Sequence, residues 1–153
     1  MERTLILIKP DAVARGLMGT ILSRFEAKGL KVVGLKMMNL TENLLKEHYS
    51  HLLDKPFFPG IVKFMKALPV LALCLEGKEA VDVCRFICGV TNARKADPGT
   101  IRGDLSISMQ CNLIHASDSP EAAFDEIARF FKPEELFDYA LPIIDFLLAP
   151  DEL

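Results

Sequence analysis

Four short apolar runs punctuate the chain, at 3–8, 30–40, 70–75 and around Ile114, and between them apolar residues recur at helical spacing. This alternation is the tightest constraint on the fold, because a β-forming run must bury itself against the apolar stripe of neighbouring helices. Arg3 to Ile8 ends at Lys9-Pro10 and reads as a buried first strand that delivers Lys9 to its C-terminal end. Met18 to Lys28 puts Ile21, Leu22 and Phe25 on one helical face, and Gly29 supplies the stop. Leu30 to Leu40 predicts a second strand, Thr41 caps a helix running through His48 and Tyr49, and Ile61 to Leu68 forms another helix. Val70 to Leu75, apolar throughout, predicts a central strand buried on both faces, followed by a helix over Lys78 to Cys88. From Val90 to Gln110 the pattern disappears, predicting a long ordered loop of the kind that serves function in compact domains. A last strand holds Ile114, and Glu121 to Phe131 is a helix with Phe124, Ile127, Ala128 and Phe131 on one face. The order β-α-β-(α,α)-β-α-loop-β-α suits either a ferredoxin-like sheet or a doubly wound parallel sheet, and periodicity does not choose between them.

At 153 residues the chain fits a single domain spanning 1–153, able to bury a core without metal or disulfide staples. A net charge of -3 argues against a general nucleic-acid binder, whose affinity rests on phosphate neutralisation. The hydrophobic share of 50% lies on the apolar side of ordinary usage and hints at surface buried between subunits. Leu5 to Ile8 is too short for a secretory segment, and the longest apolar run, Ala67 to Leu75, is far too short to span a bilayer. A soluble, cytoplasmic protein with no membrane partner is expected. Cys74, Cys84, Cys88 and Cys111 lack metal-site spacing and read as reduced core residues.

The chemistry concentrates around Asn112-Leu113-Ile114-His115-Ala116-Ser117-Asp118-Ser119-Pro120. Ser119-Pro120 is a helix start, N-cap followed by proline at the first helical position, so His115 falls at a strand-to-helix junction. A histidine there can act as base, metal ligand or nucleophile, or can be a turn residue satisfied by Ser117 and Asp118. Lys9, Arg85 and Arg102 fall at element ends or in the long loop, and if they converge they form a phosphate clamp to which Thr91 and Asn112 add neutral donors. The chain has neither a P-loop nor a Gly-rich dinucleotide fingerprint, so a nucleotide enzyme built this way must hold phosphates with side chains. Glu126, eleven residues past His115, can reach one imidazole nitrogen and fix the tautomer. Of Phe57 and Phe58, adjacent in a short proline-flanked segment, one is expected in the core and the other at a surface or cleft. His48 and His51, three apart beside Glu47, make only a weak metal-site pattern.

Lys9-Pro10-Asp11, Tyr49, Pro56-Phe57-Phe58-Pro59-Gly60, Pro98-Gly99-Thr100-Ile101-Arg102-Gly103-Asp104 and the His115 stretch, in that order, together resemble the nucleoside diphosphate kinase family across nearly the whole chain. The resemblance implies a ferredoxin-like α+β fold, a four-stranded antiparallel sheet with helices on its faces. It also implies a homo-oligomer, hexamer or tetramer, and Mg²⁺-dependent ping-pong transfer of a γ-phosphoryl group from a nucleoside triphosphate, typically ATP, to a nucleoside diphosphate. By motif position His115 carries the phosphoryl group, with Glu126 and Ser117 supporting it. Lys9, Tyr49, Arg102 and Asn112 match active-site positions, and Arg85 and Thr91 match phosphate contacts. Phe57 matches the aromatic on which the base stacks, a contact that tolerates every base. Lys9 and Asn112 also face the sugar hydroxyls, and Mg²⁺ travels on the nucleotide phosphates rather than in a protein cage.

Three positions depart from the family pattern. Ala116 stands where glycine is usual, which carries a cost if that residue needs a positive φ. Ala93 replaces a common proline, and Asp145 to Pro150 replaces the aromatic-acidic ending of many hexameric members, so both bear on subunit contacts.

Overall fold

The computed structural model describes residues 1–152. The chain begins with β1 (Glu2–Ile8), α1 (Pro10–Ala14), α2 (Met18–Ala27), β2 (Lys31–Met38), α3 (Glu42–His48) and α4 (Phe58–Met65). It continues through β3 (Val70–Gly77), α5 (Ala80–Cys88), α6 (Ile101–Leu105), β4 (Ile114–Ala116), α7 (Pro120–Phe130) and α8 (Ile144–Leu147). The sheet order is β2-β3-β1-β4 with every pairing antiparallel, so the ferredoxin-like alternative holds and the parallel one falls.

Strand alternation divides the core into two layers. Ile6, Ile8, Leu73, Leu75, Ile114 and Ala116 face α2 and α5, packing on Ile21, Phe25, Cys84 and Cys88. Leu5, Leu7, Val33 and Ala72 face the other way, against Leu45 of α3, Met65 of α4 and Phe130 of α7. His115 lies between Ile114 and Ala116 and opposite Leu7 in the ladder, so its ring projects into the second layer, toward α3 and α7. This placement is what lets one histidine meet residues from two helices.

Local chemistry explains most boundaries. Thr41 accepts a hydrogen bond from the Leu44 N–H and Ser119 one from the Ala122 N–H, each satisfying an orphan donor of a helix start. Several expectations need correction. The segment 90–110, expected as an ordered loop, also holds a 3₁₀ turn at Ala93–Lys95 and α6, both too short for an apolar period to show. Helix α1, directly after Lys9, also lacks a readable period, and α4 begins at Phe58, earlier than Ile61. On α7 the buried residues are Ala123 and Phe130, whereas Phe124 is 76% exposed; the helix is rotated so that its small Ala123 meets the sheet. Cys74, Cys84 and Cys88 are buried free thiols, but Cys111 is exposed because it belongs to the loop ahead of β4.

Candidate active site

The short β4 is held by the turn before it. Leu113 has φ 72, the left-handed region that a buried leucine rarely adopts. The Ile114 N–H bonds the Asn112 carbonyl at 2.9 Å, which closes a three-residue turn around Leu113. Two contacts hold this strained residue in place: its N–H donates to Asp11 Oδ2 at 3.0 Å, and its carbonyl accepts from the Lys9 N–H at 2.9 Å. The turn thus ties the end of β1 to the start of β4 and sets His115 beside Lys9.

His115 Nε2 lies 3.0 Å from Glu126 Oε2, and the same oxygen accepts a 2.7 Å hydrogen bond from the Ser117 hydroxyl. Ser117 is fully buried and in turn accepts from the Leu5 N–H. Burial pushes the Glu126 carboxyl up, but the hydrogen bond and charge of His115, with the Ser117 hydroxyl, outweigh it and hold the group below the usual carboxylate range. An ionised Glu126 accepts only, so the imidazole proton sits on Nε2 and the Nδ1 lone pair is left available. The imidazole of His48 stands edge-on to that of His115, centroids 4.6 Å apart. Burial, then the neighbouring His115, drives His48 down to about 3, so it stays neutral. His51, its partner in the sequence pattern, is exposed and takes no part in this cluster.

In front of His115 opens a polar cleft of 210 Å³ whose walls include Lys9, Arg85, Thr91, Arg102 and Asn112. Arg102 is buried, and its guanidinium donates to the carbonyls of Gly89 and Ile114 at 2.6 Å and of Asn112 at 3.3 Å, none of them a countercharge. Lys9 Nζ donates to Asn112 Oδ1 at 2.7 Å, and Asn112 Nδ2 is anchored by the carbonyls of Thr91 and Met109. Burial, then the charge of Arg102, lowers Lys9 to about 8, and burial lowers Arg102 as well. Two desolvated cations satisfied by neutral oxygens make a site in want of an anion. Arg85 differs, being half-exposed and paired with the Asp118 carboxylate at the cleft mouth.

The segment Pro98 to Asp104 delivers Arg102 through its own contacts. Asp104 accepts from the Gly99 N–H and from Arg24, and Thr100 caps α6 by accepting from the Gly103 N–H. A Cβ at Gly103 would collide with the Asp97 carbonyl, so only glycine fits there.

Tyr49, Thr91, Lys9 and Asn112 also line a second cleft of 490 Å³, walled by Phe57, Ile61 and Met109. Burial, then Glu126, raises the Tyr49 hydroxyl to about 12, keeping it a neutral donor. Phe57 is 55% exposed and Phe58 is buried, dividing the pair as expected. The two clefts share four residues, so the site has a cationic end at His115 and an apolar end at Phe57. Nine of the ten sequence candidates, His115, Lys9, Tyr49, Asn112, Arg102, Glu126, Phe57, Arg85 and Thr91, line these clefts or bond to a residue that does, and Ser117 is joined to the site through Glu126. Sequence reasoning quoted Asp11 in the Lys9-Pro10-Asp11 motif without giving it a role, and it missed the packing of His48 on His115. The concern over Ala116 is removed: Glu79 and Leu113 are the non-glycine residues with positive φ among those described, and Ala116 is an ordinary strand residue.

Residues 2–136 match the family described as nucleoside diphosphate kinase. A nucleoside diphosphate kinase from Parabacteroides distasonis is 53% identical over 152 residues, 99% of either chain. Nucleoside diphosphate kinase A from Homo sapiens is 54% identical over 138 residues, covering 90% of this chain and 91% of that one. Among solved structures, a halophilic nucleoside diphosphate kinase from Halobacterium salinarum in complex with CDP superposes with a TM-score of 0.94 at 45% identity, covering 97% of this chain and 99% of that one.

Proposed function

The chain belongs to the nucleoside diphosphate kinase family, and from that premise we propose how its own residues carry the reaction. The activity is ping-pong transfer of a γ-phosphoryl group from a nucleoside triphosphate to a nucleoside diphosphate through a phosphohistidine. His115 is the carrier, and Nδ1 is its attacking atom. The single observation that supports this most is the 3.0 Å contact of Nε2 with Glu126, which leaves Nδ1 as the free nucleophile at the edge of the cationic cleft. As Nδ1 bonds phosphorus, the bond to the leaving diphosphate oxygen breaks and the imidazole becomes cationic. Glu126, steadied by Ser117, stabilises that charge through Nε2–H. In the return step the same bond to phosphorus breaks as an acceptor diphosphate oxygen attacks.

Lys9, Arg85 and Arg102 hold the phosphates, with Thr91, Tyr49 and Asn112 as neutral donors. Such positioned charge supplies most of the catalysis in phosphoryl transfer. Lys9 and Asn112 stand where the two clefts join and so meet the sugar hydroxyls, while Phe57 stacks on the base. Mg²⁺ fits as a passenger of the nucleotide. The polar cleft is lined by three cations, and Asp118, bound to Arg85, is the carboxylate it contains, so no protein cage for a hard ion is offered. When bound there, Mg²⁺ would draw charge from the transferring phosphate.

We further assign residues 1–153 to one domain, working as a homo-oligomer in the cytoplasm. Exposed Leu35, Met37, Phe86, Ile107 and Phe146 favour subunit contacts, and the free cysteines suit a reducing compartment. No helix among the described residues is long and apolar enough to cross a membrane. The test is brief incubation with Mg²⁺ and γ-labelled ATP: an acid-labile label appears on His115 and is discharged by GDP. Folded protein that takes up no label contradicts the assignment.

A further inference from the structure

His48 is a buried group that phosphoryl transfer does not use. Its side chain is 1% exposed, and neither ring nitrogen has a hydrogen-bond partner among the described residues. Such a buried polar group is costly unless something engages it. What it faces is specific: His48 Nδ1 lies 3.8 Å from Glu126 Oε1, while the other oxygen of that carboxylate lies 3.0 Å from His115 Nε2. One ligand atom from each of His48, His115 and Glu126 can be chosen so that all lie within 4.8 Å of one another.

Two imidazoles and a carboxylate make the donor set of an open zinc site. Zinc–ligand bonds of about 2.0–2.2 Å in a tetrahedron separate the ligand atoms by about 3.4 Å. The two imidazole–carboxylate contacts, 3.0 Å from His115 to Oε2 and 3.8 Å from His48 to Oε1, lie on either side of that spacing. His115 itself is 18% exposed and borders the polar cleft.

We propose that His48, His115 and Glu126 form an inhibitory site for a zinc-class transition metal, which turns the nucleophile off by changing its tautomer. The site is separate from the hard cation carried on nucleotide phosphates, because imidazole ligands select zinc and copper over magnesium. The inhibitory role rests on His115 being the phosphoryl carrier. A neutral imidazole has one ring proton, which Glu126 holds on Nε2. Metal bonding to Nε2, with Glu126 as co-ligand, transfers that proton to Nδ1. The lone pair that would attack phosphorus then forms the Nδ1–H bond, and no proton leaves the protein. Lys9, Arg85 and Arg102 take no part, so nucleotide still binds.

The test uses the full chain, freed of metal by chelation. The ring ¹⁵N–¹H spectrum has three histidines to resolve. Zn²⁺ is expected to shift His48 and His115 but not His51, and to move the His115 proton from Nε2 to Nδ1. Zinc added in excess of nucleotide is expected to cut labelling by γ-labelled MgATP at least about tenfold, while ADP affinity changes by less than about twofold. His48→Phe, which keeps the packing against Tyr49 and Phe130, still labels with Mg²⁺ but binds Zn²⁺ at least about tenfold more weakly, the scale on which groups around a metal act. His48→Gln serves as a second variant of smaller bulk. Ring nitrogens of His115 that do not respond to Zn²⁺, or inhibition that survives in both His48 variants, overturn the site. A wild-type protein that fails to label with Mg²⁺ alone instead overturns the carrier reading and the inhibitory role, and the ring spectrum then decides the binding site by itself.

Discussion

Glu126 reaches Nε2 of His115 at 3.0 Å while a second hydrogen bond, from Ser117, fixes the same carboxylate oxygen. The glutamate comes from α7 and the histidine from β4, so the orientation of one helix against one strand sets the tautomer. Glu126→Gln keeps the shape but lets either tautomer form. We expect phosphoenzyme formation to slow by about 10–100-fold, the usual effect of losing a partner that orients histidine. Nucleotide affinity should be nearly unchanged, and single-turnover kinetics separate the two.

Lys9 gives the site a pH limit. Its pKa is lowered from 10.5 to about 8, so it is charged below about pH 8 and neutral above. Phosphate binding by the free enzyme should therefore weaken as pH rises through about 8, and kcat/KM should fall there. The stability effect has the opposite sense. Between about 8 and 10.5 the unfolded chain binds the proton that the folded one has released, so unfolding free energy rises with pH across that window. Lys9→Met should lose the alkaline limb and most activity, yet unfold no more readily at pH 7, since an apolar residue of similar length avoids the desolvation of a buried charge.

Phe57 tests the apolar end. It is 55% exposed, so Phe57→Ala should change stability by no more than about 0.5 kcal/mol. Loss of a stacking platform should cost about 1–3 kcal/mol of binding, a rise in KM of about 5- to 150-fold for purine and pyrimidine nucleotides alike. Steady-state kinetics with four nucleoside diphosphates would reveal any base preference, which the stacking account does not expect.

Ala116 tests whether the departure beside His115 matters. Its backbone is not in the left-handed region and its side chain belongs to the core layer with Ile114. Ala116→Gly should therefore bring no gain in turnover, and should lower stability by about 0.5–1 kcal/mol through chain entropy. Urea unfolding and the turnover number together check this.

What the sequence revealed follows from how local each signal is. Thr41, Ser119 and Pro120 act within one helical turn, so their caps were legible, as was the apolar run of β3. Helices α1 and α6 have five residues each and show no period, so they were not. The rotation of α7, which exposes Phe124 and buries Ala123, is decided by how closely the helix approaches β1, a tertiary matter. At the site, motif positions pointed to the candidate residues that the fold gathers around the two clefts. The strained turn at Leu113, its support by Asp11 and the second histidine, His48, beside Glu126 depend on pairings across 102 and 78 residues that no spacing rule encodes.

The central claim is that Glu126 reserves Nε2 and leaves Nδ1 of His115 to take the phosphoryl group. The most direct measurement is the position of the phosphorus on the isolated phosphoenzyme, read from ³¹P–¹H couplings to the imidazole ring. The account predicts phosphorus on Nδ1 of His115 alone, with the Nε2 proton still hydrogen-bonded. Phosphorus on Nε2, or a stable phosphoenzyme in His115→Gln, would contradict it.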